Sequence, residues 1–238
     1  MKKLIFFCCL LLAPNLFALN LGEIRDEVRL RIKDVGVSGS RQRFTDAQLN
    51  DLINQTHRDV VNFTWVIKKS TDIESSVDTQ SYALPTDYIT SDRVQFRQKN
   101  IDETTTEALD GKFNNGSWRT STGYPKNYYY EETDPGYIYL YPYPSSSAST
   151  GTITVEYVAQ ADTLSSDSDD PFNGYVTLQQ YADLLIYEPC YKVFLIEGEG
   201  EKALEYRRYY ESRLELMNSL IGKRPNYKPG FSSNRTGP

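Results

Sequence analysis

Residues 124–143 read YPKNYYYEETDPGYIYLYPY. At the centre of this stretch, Thr133-Asp134-Pro135-Gly136 is a turn signal: proline presets one backbone angle and glycine accepts a positive one. Tyr128–Glu131 and Tyr137–Tyr141 flank it, and both are rich in the aromatic residues that strands favour. The stretch therefore predicts a β-hairpin. Side chains alternate along a strand, so Tyr137, Tyr139 and Tyr141 share one face while Ile138 and Leu140 share the other. Such a strand is apolar on both sides. One side covers a core. The tyrosine side can cover a neighbouring subunit, stack on sugar rings, or form a second buried face.

The strand character extends outward from the hairpin. Pro142 and Pro144 end it, and residues 145–150 form a flexible connector. Thr152 to Val158 is a further strand with Ile153, Val155 and Tyr157 on one face. Upstream, Trp65 and Ile67 alternate with polar neighbours, Ser81–Leu84 runs into Pro85, and Val94 and Phe96 alternate within 93–98. Residues 102–116 are polar around Leu109 and Phe113, and read as a helical turn or a loop.

Both ends of the chain change period. Leu21, Ile24, Val28 and Ile32 recur at helical spacing up to Gly36. Thr45 stands three residues before Gln48, a capping box, and Leu49, Leu52, Ile53, Thr56, Val60 and Val61 follow on one helical face. Past the acidic stretch around Asp167, Asp169 and Asp170, residues 176–196 are densely apolar. Pro189 is expected to kink or interrupt a helix there. Gly198 and Gly200 precede a last helix over 201–221, and from Gly222 the chain is basic, without an acid, and rich in proline and glycine. The organisation expected is a signal-like segment or arm (1–20), a helical hairpin (21–63), a β-rich region (64–160), helices completing a bundle (161–221) and an extended basic tail (222–238). The fold class predicted is α+β, a helical bundle from both chain ends with a β-rich middle insertion and an extended C-terminal tail.

Composition narrows the function. In 238 residues there are 19 tyrosines but one histidine and three cysteines, with a net charge of -6. That leaves little material for a zinc site or a histidine-based triad, and it argues against coating nucleic acid through a basic surface. His57, beside Ile53, Val60 and Val61, reads as a packed histidine, and Cys190, next to Pro189, as a buried thiol. Asp162, Asp167, Asp169 and Asp170 lack the glycine and terminal glutamate of a calcium-binding EF-hand loop. Nucleophile-elbow, P-loop and metalloprotease patterns are absent. The expectation is a binding or assembly protein with no catalytic residues, cofactor or metal.

The two termini carry further expectations. Lys2 and Lys3 precede the apolar run Leu4–Ala13, and Leu16-Phe17-Ala18 ends in a small residue, the layout of a secretory signal peptide. The run is short for a membrane span. The other readings are a start assigned too far upstream and a hydrophobic arm that packs on a partner. The C-terminal tail is either an end without a role or a segment that orders on binding. In the second case Tyr227 and Phe231 are anchors, and Lys223, Arg224 and Lys228 seek acidic partners.

Several stretches in order resemble a known family. Leu21-Gly22-Glu23-Ile24-Arg25 opens the first helix, and Arg43-Phe44-Thr45-Asp46 leads into one ending Asp59-Val60-Val61-Asn62. Tyr82-Ala83-Leu84-Pro85-Thr86-Asp87-Tyr88, Thr122-Gly123-Tyr124-Pro125 and Ile138-Tyr139-Leu140-Tyr141-Pro142 follow. Thr154-Val155-Glu156-Tyr157 then precedes the acidic stretch and Tyr181-Ala182. This order, over about residues 21–221, resembles the head-to-tail adaptors of tailed bacteriophages. The resemblance implies a structural virion protein assembled in the host cytoplasm, a ring usually of twelve copies beneath the portal protein. It would present a surface to a tail or nozzle protein and let DNA pass without sequence-specific binding. It also implies that the tail, through Lys223, Arg224, Tyr227, Lys228 and Phe231, docks on the portal. Tyr137, Tyr139 and Tyr141 are the expected subunit interface. The alternative is a secreted bacterial surface or glycan-binding protein, periplasmic or extracellular, that uses the tyrosine-rich sheet.

Overall fold

A computed structural model describes residues 19–35 and 42–222. The chain forms two compact units. One combines residues up to Val60 with those from Asp162 onward, and the other is Val61–Ala161.

In the first unit, helix α1 (Leu21–Arg31) starts at a capping box in which Asn20 and Glu23 bond each other's backbone N–H. Ile24, Val28 and Ile32 are buried. The helix stops before Gly36, because Lys33 already takes a positive φ of 56°. Asp34, itself buried, accepts from the Arg29 guanidinium at 2.9 Å and from the backbone N–H groups of Arg43 and Phe44 at 2.7 and 3.1 Å. Arg29 also donates to Asp46 at 2.6 Å. This buried ionic knot fastens the end of α1 to the start of helix α2 (Asp46–Thr64). There Thr45 and Gln48 make the second capping box.

After Ala161 the chain runs irregularly, and Asn54 grips it by donating to the Leu164 carbonyl and accepting from its N–H, at 2.9 and 2.8 Å. A short helix α3 (Val176–Gln179) is followed by helix α4 (Leu184–Ile196) and helix α5 (Gly200–Gly222). Helix α4 passes through Pro189 instead of breaking there. The interruption falls earlier, at 180–183, where successive i→i+3 turns carry the chain between the helices.

These helices correct the bundle expected from both chain ends. Leu21, Ile24, Val28, Leu49, Ile53, Leu185, Cys190, Val193 and Ala203 do share one core. However, extended helix-on-helix packing is confined to α4 and α5, with α1 laid against α4. At 11 residues α1 is only about 16 Å long. The irregular stretch after Ala161 takes the place a bundle helix would occupy: its Asp169 and Asp167 carbonyls accept the N–H groups of Leu21 and Gly22. The basic tail lies outside the described residues, as do residues 1–18.

The second unit, the β-rich middle of the chain, holds two four-stranded sheets. Strands are β1 (Lys68–Glu74), β2 (Ser81–Ala83), β3 (Tyr88–Phe96), β4 (Lys99–Asn100), β5 (Asp102–Glu103), β6 (Asn127–Tyr129), β7 (Tyr137–Tyr141) and β8 (Thr152–Ala159). The first sheet runs β1-β8-β3-β4, all antiparallel, and the second runs β2-β7-β6-β5, with β5 parallel to β6. β8 is the most apolar strand and sits inside its sheet, with Ile153, Val155 and Tyr157 buried. β1, with its lysines and acids, takes the edge, where charge discourages pairing with other chains.

Candidate interaction surface

The predicted hairpin forms: Asn127 faces Tyr141, Tyr128 faces Leu140 and Tyr129 faces Tyr139. Tyr137 donates its N–H to the Asp134 carbonyl across the turn. Ile138 and Leu140 are fully buried on one face. The tyrosine face is open at one end and closed at the other: Tyr137 is 38% exposed and Tyr141 8%.

The closed end is made by residues 105–120. Thr105 caps a helix over Thr106–Lys112, and a 3-10 helix over Asn114–Thr120 follows. They bring Leu109, Phe113 and Trp118 onto the tyrosines. Trp118, with no exposed surface, meets Tyr129 edge-on at 5.3 Å and Tyr141 at 6.1 Å. Its indole N–H donates to Asp110 at 2.7 Å. Arg119 lies 4.5 Å over the Trp118 ring and pairs with Glu131 at 3.0 Å. Tyr139 stacks on Tyr129 at 5.1 Å and donates its hydroxyl to Asp134 at 3.0 Å. Burial, and then the Asp134 carboxylate, push its pKa up to about 12. Of the three tyrosines expected at an interface, Tyr137 is the most open, Tyr139 is partly covered, and Tyr141 belongs to an aromatic cluster of its own chain.

A second tyrosine cluster joins the two sheets of this unit. Tyr88 of β3 and Tyr130, just past β6, bond hydroxyl to hydroxyl at 2.8 Å, and Ser91 lies 3.3 Å from the Tyr128 hydroxyl. Burial raises the pKa of Tyr88, Tyr128 and Tyr130. These phenols stay neutral and act as hydrogen-bonding packing groups.

The remaining candidates are occupied structurally. Asp167 takes a two-pronged bond from Arg25 at 2.8 and 3.0 Å, and Asp169 caps the N–H groups of Ser165 and Ser166 at 2.7 and 2.8 Å. Asp170 accepts from the Phe172 N–H and from Gln179. Among the described residues no group of three metal-binding side chains converges, and no helix is long and apolar enough to cross a membrane. His57 is 1% exposed and meets Phe172 edge-on at 5.5 Å. Cys190 is buried, which pushes its thiol up to about 12, far from a reactive thiolate. The expected docking residues Lys223, Arg224, Tyr227, Lys228 and Phe231 lie outside the described residues.

Sequence reasoning missed the cover over Tyr141. The signal was present in Thr105 as a cap, with Leu109, Phe113 and Trp118 at near-helical spacing after it. Its destination was not, because nothing local says which sheet face those side chains meet.

Comparison with known proteins adds one match. A family model described as SU10 adaptor protein matches residues 19–231. No curated protein matches the sequence.

Proposed function

We propose, from the premise that this chain belongs to the SU10 adaptor protein family, a phage adaptor family of virion components, that it forms a ring between portal and tail. Copies, twelve in the expected ring, surround the channel through which DNA passes without sequence-specific binding. The chain contributes structure and no catalysis. The observation that carries this reading is the extent of the family match, residues 19–231, which takes in both compact units and part of the basic tail. A partly open tyrosine face is compatible with it. Ring closure needs two different patches on each subunit, and Tyr137 and its neighbours supply an aromatic one. The tail residues Lys223, Arg224, Tyr227, Lys228 and Phe231 are the proposed contact with the portal.

A secreted glycan binder would need several tyrosine rings open in a row, and Tyr141 is packed against Trp118 and Phe113. Peptide mapping of gradient-purified particles tests the proposal. The chain should appear in DNA-filled particles at a copy number matching the portal. Recovery only from the periplasm, with a first residue near Leu19, would overturn it.

A further inference from the structure

We propose that His57 is a latch: a proton on its ring releases the Pro171–Phe172 corner from helix α2. Neither ring nitrogen of this buried histidine has a hydrogen-bond partner. The ring is held by apolar contact instead. Ile53, one turn before it, and Val60 and Val61, one turn beyond, are fully buried, and Phe172 meets the ring edge-on. The backbone of Pro171 and Asp162 lies close by. The pocket suits a neutral imidazole. A second N–H and a positive charge would lie in the core without bonded partners, which is costly.

The segment facing the ring is built to yield locally. Between Ala161 and helix α3 the chain is irregular, and its flanks are fastened. Arg25 clamps Asp167, the Asp167 and Asp169 carbonyls take the Gly22 and Leu21 N–H groups, and Gln179 donates to the Asp170 carboxylate at 2.9 Å. The corner between these fastenings carries bonds that move with it. Phe172 donates its N–H to the Asp170 carboxylate at 2.9 Å, Asn173 to the Asp170 carbonyl at 3.2 Å, and Tyr175 to the Phe172 carbonyl at 2.9 Å. Phe172, 1% exposed, is the apolar anchor that sets the corner on His57. Desolvation dominates the ring's titration. The backbone of Pro171 and Asp162 and the Asp162 carboxylate oppose it, and Arg58 adds to it. Arg25 lowers the pKa of Asp167, and the Ser166 and Ser165 N–H groups lower that of Asp169, so the flank keeps its charges where the latch responds. The inference does not depend on ring assembly.

Hydrogen exchange of the full chain, read by mass spectrometry and divided by intrinsic rates, tests the latch. With the closed ring titrating at about 4 and a released ring at about 6.5, the opening constant of the corner should rise about 60-fold between about pH 7 and about pH 4.5. Peptides over 170–176 should lose protection accordingly. At both pH values they should be at least about tenfold less protected than helix α4 of the same unit, the mark of a local opening. His57→Gln should show no such rise, and His57→Leu serves the same end if the glutamine variant fails to fold. Histidine occurs once in the chain, so in protein made without a histidine tag its C2 proton resonance reports this ring alone, and it should titrate at about 4. A ring titrating at about 6.5, a corner as protected as α4, or an equal rise in the variants would each overturn the proposal.

Discussion

His57 shows how one side chain reports on its surroundings. Burial lowers its pKa to about 4, with the nearby backbone of Pro171 and Asp162 opposing and Arg58 adding to the effect. An ordinary histidine titrates near 6.5, so the unfolded chain binds the proton more readily. The stability it contributes is complete above about pH 6.5 and is lost as pH falls through about 4, roughly 3 kcal/mol in all. Buried Glu188 and half-buried Asp183, whose pKa values desolvation raises, act with the opposite sign. Urea denaturation at about pH 7 and about pH 4.5, on the wild type and on His57→Gln, should show a flatter response in the variant; equal slopes would refute the assignment. Trp118 makes a second residue-scale case. Trp118→Ala removes the lid over Tyr129 and Tyr141 and should cost about 3–5 kcal/mol, with loss of near-UV circular dichroism. His57 as a packed residue was legible from its apolar neighbours on a helical face. The place of Trp118 was not, since its partners Tyr129 and Tyr141 belong to strands with no fixed spacing from it.

At the scale of elements, local capping rules govern both helix starts, although only the one at Thr45–Gln48 was read from the sequence. The Thr45–Gln48 box sets the start of α2, and the Asn20–Glu23 box sets that of α1. Asn20→Ala should cost about 1 kcal/mol in thermal or urea unfolding, as loss of an N-cap does. Helix ends followed longer-range logic. α1 ends at Arg31, where Asp34 turns back to bind Arg29 and the backbone of Arg43 and Phe44. Asp34→Ala would leave the buried Arg29 without one of its partners and should cost about 3–5 kcal/mol, more than Asn20→Ala; a loss under about 1 kcal/mol would refute the knot. Pro189 illustrates the limit of a propensity rule. Proline disfavours a helix interior, yet α4 continues through it, because Leu184, Leu185, Ile186, Cys190 and Val193 bury a continuous apolar surface.

For the whole molecule, the proposed role in a virion makes a prediction of its own. Deleting residues 222–238 should leave the thermal unfolding of the remaining chain unchanged and abolish co-sedimentation with the portal protein. Retained co-sedimentation would move the docking site off the tail. Tyr137→Ala should weaken association between copies more than it weakens folding, because that ring is the exposed one of its face. Tyr141→Ala should do the reverse, with a folding loss of about 3 kcal/mol or more from the emptied aromatic cluster. Analytical ultracentrifugation paired with urea denaturation separates the two effects.

Local order by itself determined the hairpin around Asp134-Pro135-Gly136, the two capped helix starts, and the inward face of β8. Each depends on residues a few positions apart, where backbone geometry and side-chain period act directly. Tertiary structure decided what depends on distant pairings. It placed β8 between β1 and β3, and β7 between β2 and β6. It covered Tyr141 with Trp118 and left Tyr137 open, although the two alternate identically in sequence. It also replaced a bundle with one long helix pair and an irregular stretch fastened by Asn54 and Arg25. An apolar face states only that it must be buried. Which surface buries it is settled by the competition among all such faces for the best-fitting contact.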